Sequence, residues 1–200
     1  MIVFDCCVNS EHWFNANTAN TREIDHGRHG PNHGKPNTTA SAQHGLPTEG
    51  RDAAAIMLAY RPGFRAAELC SLQWVQIDLR RGRLHVNRAK GGIEGVHPLR
   101  GPELRALPPL QGASPYVFVT EAGTPVTTAW FLRMVQRVGR AAKLPFPVHP
   151  HMLRHSTGYN LANDGHDTRS LAHYLGHRNL QSTARYTALA PGRFARFWQD

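Results

Sequence analysis

The sequence predicts a mostly helical α+β fold with one small antiparallel β-sheet. Six helix patterns, each marked by a cap residue, a terminal Gly or Pro, or an apolar stripe, fill most of the chain after residue 48. Between them the run GRLHVNR alternates apolar and polar residues, and the glycine-rich segment KGGIEG separates it from VHPL. This combination is the pattern of a β-hairpin with a loose turn.

The chain divides into two predicted parts near residue 48. Residues 1–48 form an atypical N-terminal segment, and residues 49–200 form the folded domain. Between Asn15 and Gln43 the segment is rich in Asn, Thr, Gly and Pro and has almost nothing to bury, so we expect disorder. It is either a linker unique to this chain or the product of a disrupted reading frame.

We expect no metal site and no disulfide framework. His26, His29 and His33 have a spacing that would hold a metal on a helix, but the glycines and Pro31 between them break any such helix. The three cysteines have no framework spacing, which is typical of reduced thiols. The longest apolar run, Ala53 to Tyr60, is too short to span a bilayer, so we expect a soluble cytoplasmic protein.

Positive charge is concentrated in the predicted folded domain. Residues 51–199 carry 20 Lys and Arg against 8 Asp and Glu, a net +12, whereas residues 1–50 carry 3 against 5. Such an excess suits a polyanion, of which nucleic acid is the most plausible. A soluble protein with a basic surface would show the same excess, and charge alone leaves both interpretations open.

The first elements place a cation beside a helix start. We expect Asp52 to cap a helix that runs to Tyr60 and ends at Pro62-Gly63. A short helix then restarts over Ala66 to Leu72, directly after Arg65.

The middle of the chain continues with the hairpin, whose turn begins near Lys90. YVFVT at Tyr116 to Thr120 is a further strand candidate. Thr127 or Thr128 caps a long helix, whose apolar stripe consists of Phe131, Met134, Val135 and Val138.

The last fifty residues predict three helices. The first starts after a His149 cap with Pro150 at its first position and stops at Gly165. The second runs from an Asp167 cap to Gly176, which leaves His177 just outside it. The third covers about Ser182 to Leu189 and carries Tyr186.

A cluster of basic side chains lies at the start of the first of these helices. His151, Arg154 and His155 are spaced i, i+3 and i+4, so they share one face. An anion fits there, because free backbone N–H groups and the helix dipole add to the guanidinium. A histidine in this place can also move a proton at neutral pH. Taken alone, the pattern fits a solvated helix face better.

The basic cluster is part of one of five short motifs that follow one another in a specific order along the chain. They are GFRAAEL at 63–69, Lys90 in the hairpin turn, HMLRH at 151–155, LGH at 175–177 and ARYTAL at 184–189. Together they resemble the catalytic domain of the tyrosine recombinases, the phage integrase family. The stretch HPHMLRHSTGYNLANDGHDTRSLAHYLGHRN is most similar to small fimbrial phase-switch invertases and related short integrases, and the resemblance runs from about Gly50 to Asp200.

The resemblance implies a DNA-cleaving enzyme that needs neither metal nor cofactor. It implies that Tyr186 is the nucleophile, that Arg65 and Arg154 clamp the scissile phosphate, and that His151 accepts the proton of the tyrosine. His177 is then a hydrogen-bond donor to the phosphate, and Lys90 is the general acid for the departing 5′ oxygen. Beside these groups we expect His155 to support its neighbours and Glu68 to orient Arg65 or its helix, and neither to take part in the chemistry.

The resemblance also implies the partners. We expect double-stranded DNA in the bacterial nucleoid, a homotetramer on two paired sites, and accessory proteins that bend DNA, with inversion, integration or excision as the outcome. Family members usually have an amphipathic helix before the motif with Arg65, and the larger members have a separate core-binding domain; residues 1–48 supply neither in recognisable form. An alternative is therefore a DNA-binding remnant that retains the fold and cannot turn over.

Overall fold

The structure, a computed structural model, describes residues 48–88 and 92–190. Its helices are α1 (Thr48–Tyr60), α2 (Ala66–Cys70), α3 (Gly101–Ala106), α4 (Thr128–Ala141), α5 (Pro150–Asn163), α6 (Thr168–Leu175) and α7 (Gln181–Ala188), with short 3-10 helices at Trp74–Gln76 and Pro108–Leu110. Its strands are β1 (Ile77–Asp78), β2 (Arg83–Val86) and β3 (Gly95–Pro98), joined in that order in one antiparallel sheet. The α+β prediction is confirmed.

The predicted hairpin is the centre of the sheet. Strands β2 and β3 pair with Leu84 opposite His97 and Val86 opposite Gly95. Leu84 and Val86 are buried while the alternate residues of β2 are exposed, as the period of two requires. The predicted turn residue Lys90 lies outside the described residues, and so do the predicted N-terminal segment and His26, His29 and His33.

Local capping fixes the start of α4 and both ends of α6. The Thr127 hydroxyl accepts a hydrogen bond from the backbone N–H of Trp130 at 3.1 Å and starts α4. Asp167 accepts from the backbone N–H groups of Arg169 and Ser170 at the start of α6. Helix α6 ends at Gly176, whose φ of 66° is the left-handed conformation that glycine adopts most easily. His177 therefore follows a fixed helix end.

Two expectations for this part of the chain were wrong. Helix α1 begins at Thr48, so Asp52 lies inside the helix, where it is buried and forms an ion pair with Arg137 of α4. Tyr116 to Thr120 is not a strand, because only isolated bridges form, at Tyr116 and at Val119. Its apolar residues instead fill the core, where Val117 and Phe118 are buried. A short apolar run does not distinguish a strand from a buried loop.

The hydrophobic core consists of two clusters of buried side chains, each formed by a different set of helices and strands. The larger part is built from α1, α2, α4 and the sheet, with side chains such as Leu58, Phe64 and Phe131. The smaller part lies among α5, α6 and α7, which pack on one another, and includes Leu171, Leu175 and Tyr186. Helix α5 also packs on α1, and so it connects the two parts. In the described ranges, no helix is long and apolar enough to cross a membrane.

Candidate active site

Arg65 is held by a carboxylate on its own short helix. It is the N-cap residue of α2, and its backbone N–H donates to Glu68 Oε2 at 2.9 Å. Its Nη1 donates to Glu68 Oε1 at 2.6 Å. Burial alone would raise the pKa of the Glu68 carboxyl, but the hydrogen bonds from Arg65 and the charge of Arg88 lower it below its usual value. Glu68 is thus an ionised anchor that orients the Arg65 guanidinium.

Arg154 lies one turn into α5 and is almost fully buried. Its Nη1 donates to the carbonyl of Gly63, and its Nη2 donates to the carbonyl of Leu175 at 2.5 Å. Burial, followed by the charges of Arg65 and Arg88, lowers the pKa of Arg154 to about 10, so the side chain remains charged at neutral pH. Gly63 has a φ of 65°, and a Cβ there would lie 2.6 Å from the Leu175 side chain. The loop that meets Arg154 therefore requires glycine.

Two histidines of α5 form a chain of contacts to Tyr186. His155 Nδ1 is 2.8 Å from the Tyr186 hydroxyl. The rings of His151 and His155 meet edge to face, with centroids 4.4 Å apart. Burial, followed by the charges of His151, Arg185 and Arg154, lowers the pKa of His155 to about 4. At neutral pH His155 is uncharged, so Nδ1 can accept the hydrogen bond of the phenol.

The side chain of Tyr186 is buried on α5, with a residue exposure of 2%. Its ring lies over Gly158, where a Cβ would be 2.7 Å from Cε2, and meets Tyr159 edge to face with centroids 4.9 Å apart. Burial raises the pKa of the phenol, an effect that the charges of Arg154 and Arg185 oppose. In this arrangement the hydroxyl is protonated at neutral pH, and a large substrate reaches it only after the packing around the ring opens.

His177 follows the end of α6 and faces α7. Its Nδ1 is 2.8 Å from the hydroxyl of Thr183, and its ring stacks on Tyr186 with centroids 6.5 Å apart. Burial, followed by the charges of Arg154 and Arg65, lowers the pKa of His177 to about 4. Thr183 is fully buried three residues before Tyr186. It therefore joins the end of α6 to the helix that carries the tyrosine.

The structure brings most of the predicted site residues to one place. Ring contacts, hydrogen bonds and charge interactions connect Arg65, Glu68, His151, Arg154, His155, His177 and Tyr186. In the part of the chain that the structure describes, no group of three or more His, Cys, Asp and Glu is arranged to hold a metal ion. The arrangement places two arginines in one cluster with a tyrosine whose hydroxyl lies beside a neutral histidine, and these are the group types that phosphate binding and proton transfer require.

The sequence interpretation missed two residues of this region, Thr183 and Arg88. Arg88 had a signal, because it continues the period of two from Leu84 and Val86 and is buried like them. A charged residue on the buried side of a strand pattern indicates a specific partner. Thr183 had a weaker signal, since it lies at i−3 from Tyr186 on the same helix face.

Comparison with protein families and with individual relatives agrees with this geometry. Residues 37–193 match the model of the phage integrase family. The type 1 fimbriae regulatory protein FimE of Escherichia coli K12 is 40% identical over 161 residues, which are 76% of this chain and 81% of that protein. The tyrosine recombinase XerD of Xanthomonas campestris is 35% identical over 169 residues, which are 76% of this chain and 52% of XerD.

Solved structures show the same fold. The crystal structure of the XerA recombinase superposes with a TM-score of 0.63 at 24% identity, over 74% of this chain and 57% of the XerA chain. At 24% identity this similarity establishes the fold, and the catalytic chemistry has to be argued from the side chains of this protein.

Proposed function

Because the chain belongs to the phage integrase family of tyrosine recombinases and is thus a site-specific DNA recombinase, we propose that Tyr186 is its nucleophile. The tyrosine oxygen attacks the scissile phosphorus, a bond from phosphorus to the phenol oxygen forms, and the bond to the 5′ oxygen breaks. The 5′ oxygen takes up a proton and leaves as a hydroxyl. The reverse reaction with another 5′ hydroxyl rejoins the strand, and no energy source is consumed. The observation that carries the proposal is the Tyr186 hydroxyl at 2.8 Å from His155 within the arginine and histidine cluster.

Arg65 and Arg154 are the proposed phosphate clamp. Each is fixed before any substrate arrives, Arg65 by Glu68 and Arg154 by two backbone carbonyls. Preorganised donors stabilise charge that develops on the non-bridging oxygens, because they need no reorientation during the reaction. We expect each arginine to contribute about 10²- to 10³-fold to the rate.

The two histidines of α5 have different proposed roles. His151 is exposed at the start of the helix, where an anion would bind. In the family, the residue at this position accepts the proton of the tyrosine. His155 is half-buried and holds the tyrosine hydroxyl before DNA is bound. The pKa of each lies below its usual value, through partial burial of the ring and then through neighbouring cations, so both rings can be neutral at pH 7. The proton of Tyr186 therefore has His155 as its first neighbour and His151 as its proposed acceptor on the DNA side.

His177 and Lys90 complete the proposed chemistry. His177 donates a hydrogen bond to the phosphate from Nε2, since its Nδ1 faces Thr183. Lys90, which lies in the hairpin turn by sequence, protonates the departing 5′ oxygen.

The proposal also includes double-stranded DNA as substrate, a homotetramer on two paired sites in the nucleoid, and DNA-bending accessory proteins. We favour DNA inversion as the outcome of recombination, because the motif sequences of the chain resemble those of the fimbrial invertases and the chain is 40% identical to FimE over 161 residues.

Covalent trapping tests the function. DNA bound covalently to the protein in cells is sequenced, and the recovered site is rebuilt as a nicked suicide duplex that cannot be rejoined. The parent protein and the variant Tyr116→Phe should both form a covalent band, since Tyr116 pairs with Gln73 at an isolated bridge and is not one of the cluster residues. Tyr186→Phe should bind the duplex equally well and form none. A remnant without activity would bind and give no covalent band with any of the three proteins.

A further inference from the structure

Arg88, just after strand β2, has a side chain with 0% exposure. Its Nη1 donates to Glu68 Oε2 at 3.1 Å and to the carbonyl of Gly63 at 3.2 Å. Its Nη2 donates to the carbonyls of Pro62 at 3.0 Å and of Tyr174 at 2.7 Å. A buried arginine is costly unless its charge is paired and its donors are satisfied. Here Nη1 and Nη2 meet three separate segments, whereas Nε has no hydrogen-bond partner among the described residues.

Two of these acceptors are shared with the proposed phosphate clamp. The Glu68 carboxylate that binds Arg88 also binds Arg65 through Nη1 and through the backbone N–H. The Gly63 carbonyl that accepts from Arg88 also accepts from Arg154. Arg88 thus contacts the support of both clamp arginines without taking the place of either. A displacement of Arg88 would be transmitted to both.

A third contact reaches the end of helix α6. The carbonyl of Tyr174 lies three residues before His177, and the Arg88 stem passes beside the terminal glycine of that helix. A Cβ on Gly176 would lie 2.6 Å from Arg88 Cγ, and a Cβ on Gly92 would lie 2.7 Å from Arg88 Cβ. Both glycines are needed for this close approach. The same side chain therefore also fixes the helix end that precedes His177.

We propose, on the basis of the proposed function, that Arg88 is a positioning residue that holds Arg65 and Arg154 in the geometry that binds the scissile phosphate. Its planar guanidinium donates in several directions within one plane, which the single ammonium of a lysine cannot do. Arg88 itself does not touch the reacting atoms. Its effect on the rate passes through Glu68 and the Gly63 carbonyl.

The test compares two substrates with different charge at the scissile phosphate. One is the suicide duplex with an ordinary phosphodiester, and the other carries a methylphosphonate there, which has one negative charge less. Arg88→Lys should slow covalent adduct formation on the phosphodiester by about 10- to 100-fold, as losses of supporting residues do. On the methylphosphonate it should slow the reaction by less than about threefold, because less charge develops for the arginines to stabilise.

Three further variants give the comparison its reference points. Arg65→Ala removes one arm of the clamp and should show the same preference for the neutral substrate. Arg83→Lys makes the identical exchange at an exposed position of β2 and should behave like the parent on both substrates. Gly92→Ala places a Cβ 2.7 Å from Arg88 Cβ and 2.8 Å from the Gly176 carbonyl oxygen without changing a charge, so it should reproduce the preference if Arg88→Lys does not fold.

The outcomes separate the inference from the function on which it rests. The positioning role is overturned if the parent forms its adduct and folded Arg88→Lys and Gly92→Ala either lose the same fraction of the adduct-forming rate on both substrates or lose none. The positioning role is supported if the variants lose less activity, relative to the parent, on the methylphosphonate than on the phosphodiester, as Arg65→Ala does. A parent that forms no adduct on either duplex removes the proposed function and this inference together.

Discussion

At the residue scale, this chain supplies its positive charge almost entirely as arginine. It has 20 Arg and 3 Lys, and after residue 50 only Lys90 and Lys143 remain as lysines. Arginine does not give up its proton in a protein, whereas the ammonium of a lysine close to other cations can be tuned to donate one. A lysine in a glycine-rich turn between two catalytic motifs is therefore the candidate proton donor.

Substitution of Lys90 tests this role. Lys90→Ala and Lys90→Arg should both cripple cleavage of ordinary DNA and leave DNA binding intact, with a loss of about 10²- to 10⁴-fold. A substrate with sulfur in place of the scissile 5′ oxygen needs no protonation to leave, so Lys90→Ala should cleave it nearly as well as the parent does. Lys143→Arg is the matched control at an exposed lysine. Equal losses on the oxygen and sulfur substrates would show that Lys90 only positions DNA.

Buried neutral histidines should make the stability of the protein depend on pH. Burial, followed by the charge of Arg88, lowers the pKa of His97 to about 4, whereas an unfolded histidine titrates near 6.5. Between these two values the unfolded chain binds a proton that the native state does not, so the free energy of unfolding falls as pH drops from about 6.5 to about 4. Urea unfolding across this range should show the decline.

The contribution of His97 to that decline can be separated. His97→Gln keeps an acceptor near Arg88 and removes the titration, so its stability should depend less steeply on pH. His85→Gln is the matched control, because His85 is exposed on the strand that pairs with His97. An unchanged slope in His97→Gln would mean that His97 takes up its proton at the same pH in the native and the unfolded states.

At the element scale, features with a local cause were predictable from the sequence. The apolar stripe of α4, the Asp167 cap of α6 and the alternation in β2 each follow from neighbours in the chain, and the structure has all three. Tyr116 to Thr120 was misassigned because its burial depends on core packing, not on strand pairing. The role of Arg88 depends on acceptors from residues 62–68 and 174, and only the folded chain brings them together.

The packing of α7 on α5 gives a prediction for Gly158. A Cβ at this position would lie 2.7 to 2.8 Å from three carbons of the Tyr186 ring, so the ring and α7 must shift. Gly158→Ala should lower the free energy of unfolding by about 1–3 kcal/mol, since overpacking outweighs the better helix propensity of alanine. Gly112→Ala, at a position with open space, should change stability little. Urea unfolding compares them, and a Gly158→Ala variant as stable as the parent would contradict the close approach.

At the scale of the whole molecule, the charge of the catalytic part predicts how DNA binding responds to salt. Residues 51–199 carry a net +12. If several of these cations neutralise phosphates, the logarithm of the affinity for duplex DNA should fall linearly with the logarithm of the salt concentration, by about 0.9 for each phosphate contact. Fluorescence anisotropy from 50 to 200 mM salt measures this slope. An affinity independent of salt would show that the basic surface does not bind DNA.

The central claim is that Tyr186 becomes bonded to the 3′ phosphate of the cleaved strand. The most direct measurement is mass spectrometry of the peptide recovered, after nuclease and protease digestion, from the protein trapped on its suicide duplex. We expect the mass of the remaining nucleotide on the peptide that contains Tyr186, and fragmentation should place it on the tyrosine oxygen. A nucleotide found on any other residue would contradict the account, and so would a covalent complex that persists in Tyr186→Phe.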